Sequence, residues 1–198
     1  GWAATGQANL VVCVGDSITF GGGIVSYPAQ LQGILQQFDH AWEVRNFGVS
    51  GATLLHRGDL PYIGQSAYTQ ARTCNPDVVV IMLGTNDSKP QNWQYKDDFV
   101  TDYSNMIDVF RSLPSQPTVW ICKPVPAFAE SFAIRPDVIR DEILPLIDRI
   151  SQEKGVPVID LYTALLPYGS LFSDSIHPNS EGAGIIADIA LIANIVLI

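Results

Sequence analysis

A serine and a histidine that lie near opposite ends of the chain could together cleave an acyl bond. Ser17 follows Gly15 and Asp16 at the end of a short apolar run, and His177 follows Asp174 by three residues. A carboxylate that holds one imidazole nitrogen leaves the other free to take the serine proton, and the serine then attacks a carbonyl carbon. Both features also have a plainer interpretation: Ser17 could simply cap a helix, and Asp174 and His177 could be an ordinary surface pair.

Two other segments could donate hydrogen bonds to the oxyanion of such a reaction. The stretch 46–53 has Gly51 just beyond an apolar run, and Gly84-Thr85-Asn86-Asp87 follows another. The backbone N–H groups of Ser17 and Gly51 and the side-chain amide of Asn86 could surround one developing negative charge. Taken singly, these segments also fit an ordinary loop and an Asx-turn. Taken together, the four segments supply every part that acyl transfer through an acyl-serine requires.

The elements that must position these residues alternate between strand and helix. Short runs rich in Val and Ile predict buried strands over 10–14, 42–47, 78–83, 118–121 and 156–159. Helices are predicted between and after them, over 28–38, 96–112, 136–154 and from about 180 to the C-terminus. This order predicts a three-layer α/β/α sandwich with a parallel sheet, whose ligands bind beyond the C-terminal strand ends.

Composition favours a folded protein with a small-molecule substrate. The 198 residues are 47% apolar and 16% charged, and the net charge is −9. Such a chain folds around a core and lacks the basic face that nucleic-acid binding requires. We expect one domain over 1–198. The apolar stretch 183–198 is shorter than the roughly 20 residues of a membrane span and contains Asp188, so it predicts a core helix, with a homo-oligomer contact as a further option.

Cysteines and glycine motifs indicate neither a metal nor a cofactor. The odd set Cys13, Cys74 and Cys122 contains no CxxC pair, and we expect Cys13 and Cys122 in the core. No third ligand of suitable spacing accompanies Asp174 and His177. A flavin or nucleotide site is disfavoured because the first loop has neither GxGxxG spacing nor a P-loop lysine. The G-x-S-x-G elbow of the α/β-hydrolases is also absent.

These four blocks together resemble the GDSL or SGNH hydrolases, named for the Ser, Gly, Asn and His of four conserved blocks. The corresponding residues here are Ser17, Gly51, Asn86 and His177, in the order of the family. The resemblance implies a flavodoxin-like five-stranded sheet of order 2-1-3-4-5. It also implies that Ser17, Asp174 and His177 form the triad, that Ser17, Gly51 and Asn86 form the oxyanion hole, and that a secreted or periplasmic location is favoured.

Within that superfamily the chain resembles bacterial sialate O-acetylesterases and carbohydrate acetylesterases. Residues that could line the substrate site follow the second, third and fourth strands: Arg57, Asn92, Trp93, Lys123 and Phe128. We therefore expect a serine esterase that hydrolyses short acyl esters, above all acetyl groups on carbohydrate. A lipase or thioesterase for longer chains, or an inert carbohydrate-binding domain, is the alternative, although no insertion is long enough for a lid.

Overall fold

Five parallel strands form the central sheet of the protein. The computed structural model describes residues 9–38 and 41–193. The strands are β1 (Asn9–Gly15), β2 (Trp42–Gly48), β3 (Val78–Met82), β4 (Thr118–Lys123) and β5 (Val158–Asp160). Their order is β2-β1-β3-β4-β5, and every neighbouring pair is parallel. The sheet order 2-1-3-4-5 and the three-layer architecture are thus confirmed.

The central strands are apolar throughout because helices cover both faces of the sheet. In β1, Val12 and Val14 point into one core and Val11 and Cys13 into the other. All five side chains of β3 are buried. Strands buried in this way can be read from sequence as unbroken runs of Val and Ile, which is why their positions are predictable.

Helices pack on the two faces in separate groups. They are α1 (Ser17–Phe20), α2 (Tyr27–Phe38), α3 (Ser66–Thr73), α4 (Pro90–Trp93), α5 (Phe99–Arg111), α6 (Pro136–Val138), α7 (Leu144–Lys154), α8 (Leu161–Leu165) and α9 (Ser180–Ile192). Side chains of α2, α8 and α9 fill one core, and those of α3, α5 and α7 fill the other. Each crossover therefore returns the chain to the same sheet edge, where the loops after the strands meet.

The structure differs from the predicted elements in several places, besides the short helices α1, α4 and α8, which were not predicted. Strand β5 begins two residues later than predicted, at Val158. Helix α3 is not predicted, because Ser66–Thr73 is polar and has no apolar period of its own. The predicted helix 136–154 contains a π-helical turn, Ile139–Ile143, between α6 and α7. The last helix is described as far as Ile192, and residues 194–198 lie outside the described part.

Two smaller expectations concern the cysteines and the membrane. Cys13 and Cys122 are buried, as expected. Among the described residues, no helix has both the length and the apolar character that a membrane crossing would need. One domain over 1–198 stays a prediction.

Candidate active site

Ser17 stands at the end of the sheet where β1 passes into α1. Asp16 is the N-cap of this short helix, and its Oδ1 accepts a 3.0 Å hydrogen bond from the Ile18 N–H. The Asp16 side chain is buried, and burial raises its pKa to about 7, against the opposing effect of that hydrogen bond. Ser17 is the first helical residue, so its N–H has no carbonyl within the helix to which it can donate.

His177 and Asp174 meet Ser17 from the loop that precedes α9. The Ser17 hydroxyl lies 2.8 Å from His177 Nε2, and Asp174 Oδ2 lies 2.6 Å from His177 Nδ1. With its one ring proton on Nδ1, the imidazole donates to the carboxylate and accepts from the hydroxyl. The side chains of His177 and Asp174 are 36% and 35% exposed, so substrate can reach them.

Asp174 is held by the backbone of its own loop. Its Oδ1 accepts hydrogen bonds from the N–H groups of Ile176 at 2.9 Å and His177 at 2.7 Å. Ser175, between Asp174 and Ile176, adopts a left-handed conformation, with φ +71°. Burial raises the pKa of Asp174, but the hydrogen bonds from His177 and Ile176 outweigh it, and the pKa lies below its ordinary value. The carboxylate is therefore ionised and suited to stabilise an imidazolium.

Gly51 and Asn86 reach the same edge from the loops after β2 and β3. The Asn86 Nδ2 donates to the Ala52 carbonyl across 3.1 Å, so the Asn86 amide is fixed beside the Gly51 loop. An amide nitrogen carries two protons, and the second is available to another acceptor. Gly51 has φ +84°, a conformation that other residues rarely adopt. The Asn86 amide and the Gly51 loop are thus tied to each other, and their role as oxyanion donors to a substrate on Ser17 stays a prediction.

Two further residues, the buried Asp87 and the half-buried Gly48, hold these loops together, a role that sequence did not suggest. The Asp87 carboxylate accepts hydrogen bonds from the N–H groups of Leu54 at 3.0 Å and Leu55 at 2.8 Å. Burial raises the pKa of Asp87 to about 6, although both hydrogen bonds lower it. Gly48 is the second residue: a Cβ there would lie 2.9 Å from the Asp16 carbonyl oxygen and would also collide with the Phe20 backbone.

Asn92 and Trp93, predicted to bind substrate, are instead buried in the supporting structure. The Asn92 Nδ2 donates to the Asn86 carbonyl across 2.9 Å, and its Oδ1 accepts from the Asp59 N–H at 2.8 Å. Trp93 packs edge-on against Phe99, with ring centroids 5.5 Å apart. The short helical turns between Asn86 and Trp93 direct these side chains into the protein interior. Their position after a strand does not predict this direction.

The other three predicted substrate residues lie outside the cleft that contains the triad. Arg57 is paired with Asp98 at 2.8 Å and lies over the Tyr95 ring. Lys123 Nζ lies 3.0 Å from Asp148. Phe128 packs against Phe172, with centroids 4.9 Å apart. None of the three lines the cleft, although the Phe128 N–H donates to the Ser175 carbonyl of the triad loop at 2.9 Å.

The cleft itself has a volume of about 400 Å³. It is lined by Ser17, Ile18, Phe20, Gly21, Gly22, Ile24, Ser50, Ser173, Asp174, His177, Pro178 and Asn179. Phe20 in this cleft and Phe132, whose ring is in contact with His177, are exposed aromatic residues that sequence reasoning missed. Neither belongs to a recognisable motif. Across 9–38 and 41–193, no group of three or more His, Cys, Asp or Glu residues is arranged to hold a metal ion.

Fold and site together indicate a hydrolase with a three-layer α/β/α fold, in which Ser17 is the candidate nucleophile at the carboxyl edge of a flavodoxin-like sheet. The chain belongs to the GDSL-like Lipase/Acylhydrolase family, whose model matches residues 13–185. The family match confirms the resemblance to GDSL hydrolases and the predicted class, a hydrolase of carboxylic esters.

One curated relative and two solved structures illustrate the similarity. An acetylxylan esterase of Xylanibacter ruminicola is 43% identical over 206 residues, which cover 92% of this chain and 42% of the relative. The chain therefore spans less than half the length of that protein. The acetyl xylan esterase AlAXEase has a TM-score of 0.75 at 22% identity, with 93% of this chain and 99% of that chain covered. A family 3 carbohydrate esterase of Clostridium thermocellum has a TM-score of 0.71 at 23% identity, with 94% of both chains covered. These two structures share the fold.

Proposed function

We propose that the protein is a serine esterase that removes acetyl groups from acetylated carbohydrate, with acetylated xylan as the favoured substrate class. The observation that carries the reaction is the hydrogen-bonded chain from Ser17 through His177 to Asp174, at 2.8 and 2.6 Å. The name of the 43% identical relative supports the substrate class. A sialate ester is the finer alternative from the sequence resemblance, and Lys123, which could meet its carboxylate, is already paired with Asp148.

The first half of the reaction transfers the acyl group to the enzyme. His177 Nε2 takes the Ser17 proton while Ser17 Oγ bonds to the ester carbonyl carbon. The carbonyl oxygen becomes an alkoxide that accepts hydrogen bonds from the Ser17 and Gly51 N–H groups and the Asn86 amide. When the carbonyl re-forms, the carbon–oxygen bond to the alcohol breaks, and His177 delivers its proton to the alcohol oxygen.

The second half restores the enzyme. A water molecule enters the open cleft, His177 removes its proton, and the resulting hydroxide attacks the acyl-Ser17 carbonyl. The same donors stabilise the second alkoxide, whose collapse releases the carboxylic acid and returns the proton to Ser17. Throughout, the Asp174 carboxylate holds the imidazole in one tautomer and stabilises its protonated form. Because a polysaccharide cannot enter a cell, such a substrate favours a secreted or periplasmic enzyme.

The test compares wild-type protein with Ser17→Ala and with the control Ser112→Ala, whose hydroxyl bonds to the Val109 carbonyl in an exposed helix end. Each is assayed on p-nitrophenyl acetate, butyrate and octanoate, and then for acetate release from acetylated xylan. We expect wild type and Ser112→Ala to prefer acetate and to deacetylate xylan, and Ser17→Ala to be inactive. Asn86→Ala should lower kcat by about 10²–10³-fold because one oxyanion donor is lost.

Other results would contradict specific parts of the proposal. A preference for octanoate would identify a lipase or thioesterase. Acetate release from sialate esters but not from xylan would replace xylan by sialate as the proposed substrate. Equal activity of wild type and Ser17→Ala would remove the Ser17 mechanism, and an absence of activity in all proteins would favour an inert carbohydrate-binding domain.

A further inference from the structure

Phe132 is an exposed aromatic residue that borders the catalytic histidine. It lies in the loop between β4 and α6, and 61% of its surface is exposed. Its ring centroid is 5.7 Å from that of His177, with an angle of 73° between the ring planes. An edge-to-face pair of this kind still leaves most of the Phe132 ring open to solvent. A large apolar surface is therefore available next to the reacting atoms.

The backbone that presents this ring is strained. Phe132 and Ala133 have positive φ angles of 53° and 61°, and the Ile134 N–H donates to the Ser131 carbonyl across 2.9 Å. This is the pattern of a type I′ turn, which favours Asn-Gly because a Cβ disfavours the left-handed conformation. Phe-Ala is a poor sequence for such a turn. Strain that persists beside a catalytic site motivates a functional explanation for the residue that causes it.

The turn is anchored to the segment that carries Asn86. The Arg135 N–H donates to Ser88 Oγ at 3.0 Å, and Arg135 Nε donates to the Ser88 carbonyl at 2.7 Å. Ser88 belongs to the 3₁₀ turn Asn86–Ser88. Hydrogen bonds of Arg135, three residues after Phe132, thus tie the end of this turn to the segment that carries the proposed oxyanion donor.

The direction of proton transfer identifies which half of an ester would meet Phe132. In the mechanism above, His177 Nε2 protonates the departing alcohol, so the alcohol oxygen must lie beside the imidazole. A ring in contact with His177 therefore borders the alcohol part of the ester rather than the acyl part. In an acetylated sugar, that part is a pyranose ring, whose faces present C–H groups and bury apolar area against an aromatic ring.

We propose that Phe132 is a specificity-determining residue that binds the sugar ring of the leaving alcohol. This inference rests on the proposed function, because it takes acetylated carbohydrate as the substrate. It adds a subsite outside the triad and the oxyanion donors, in a loop where no substrate residue was predicted. The same contact explains why a strained turn carries phenylalanine in place of a residue that favours positive φ.

The experiment compares two acetate esters that differ only in the alcohol. One is a monoacetylated methyl β-xyloside, and the other is methyl acetate, which has no ring to bind. Phe132→Asn removes the aromatic ring and keeps a residue that tolerates positive φ, so the turn is preserved. Phe132→Tyr retains the ring. Phe38→Ala removes another exposed phenylalanine, 76% exposed, at the far end of α2, and serves as the control.

For Phe132→Asn we expect KM for the xyloside to rise about fivefold to tenfold, the range that one aromatic contact supplies. The ratio of kcat/KM for xyloside to that for methyl acetate should fall by a similar factor. Phe132→Tyr and Phe38→Ala should keep the wild-type ratio, and the unfolding temperature should show that each variant is folded.

Two results would overturn the inference, and they are distinct from failure of the proposed function. Phe132→Asn could keep the wild-type ratio because kcat/KM falls equally for both substrates or for neither. The ring would then affect catalysis through His177 or have no effect, and it would not bind the sugar. If wild-type enzyme hydrolyses methyl acetate and leaves acetylated xyloside and acetylated xylan intact, the proposed function itself fails, and the sugar subsite with it.

Discussion

The side-chain amide of Asn92 donates a 2.9 Å hydrogen bond to the main-chain carbonyl of Asn86. Asn92 is fully buried, and its Oδ1 also accepts from the Asp59 N–H. It therefore fixes the backbone from which the proposed oxyanion donor projects. Asn92 acts through Asn86, as a positioning residue, and does not need to touch substrate.

Asn92→Ala should destabilise the protein and lower kcat. The substitution leaves the Asp59 N–H without this acceptor and the Asn86 carbonyl with only the longer 3.3 Å bond from the Lys89 N–H, at a cost of about 1–3 kcal/mol. The neighbouring Gln91→Ala, which loses only an exposed 3.2 Å hydrogen bond to Asp59, is the matched control. Thermal unfolding and kcat on p-nitrophenyl acetate check both effects. Unchanged kcat in a folded Asn92→Ala protein would show that the Asn86 position does not depend on this bond.

Asp174→Asn should reduce kcat by about 10³–10⁴-fold. An asparagine amide cannot stabilise the imidazolium and can turn its N–H towards His177 Nδ1, which favours the wrong tautomer. KM should change little, because Asp174 orients the base rather than the substrate. Steady-state kinetics on p-nitrophenyl acetate provide the measurement. The exposed Asp141→Asn, which loses a 2.7 Å pair with Arg140, should retain wild-type kinetics. A loss of less than tenfold in Asp174→Asn would mean that the carboxylate contributes little.

Stability should fall as pH rises towards and through neutrality, and Asp16 should cause part of that fall. Its pKa is about 7 in the fold and near 4 in an unfolded chain. Below both values the carboxyl is protonated in both states; as pH rises between them, the unfolded chain loses its proton first, so unfolding becomes more favourable. Asp16→Asn cannot ionise and keeps an oxygen for the Ile18 N–H.

The unfolding temperature of wild type should therefore fall by several degrees more than that of Asp16→Asn between about pH 5 and about pH 8. Asp87, with a pKa of about 6, adds a fall that both proteins share. The difference between the two slopes is the quantity to compare. Parallel pH profiles would show that Asp16 ionises equally easily in the folded and unfolded states.

Gly48→Ala should destabilise the protein by about 1–3 kcal/mol, because the new methyl group overpacks the junction between β2 and α1. The collision involves the Phe20 backbone and the Asp16 carbonyl, which cannot move without moving Ser17. Activity should fall with stability. Gly33→Ala, an exposed position inside α2 with no atom near the added methyl, should instead stabilise by about 0.5–1 kcal/mol. Thermal unfolding compares them, and equal shifts in unfolding temperature would contradict the close approach.

The order of the strands and main helices can be predicted from local patterns, because runs of Val and Ile and the signals at helix ends depend on neighbouring residues alone. The same pattern places Ser17, Gly51 and Asn86 beyond three strands of one parallel sheet, where the loops must meet. The approach of His177 to Ser17, 160 residues away, agrees with that expectation.

Which residues surround that centre depends on contacts that form only when the chain folds. Asn92 and Trp93 follow the third strand just as Asn86 does, yet the turns after Asn86 bury them, because their polar and apolar partners come from distant segments. Lys123 ends β4 and is paired with Asp148 of α7. Phe132 reaches His177 through a turn that its own sequence disfavours. Burial and side-chain pairing depend on contacts between segments far apart in the chain, and local sequence patterns do not predict those contacts.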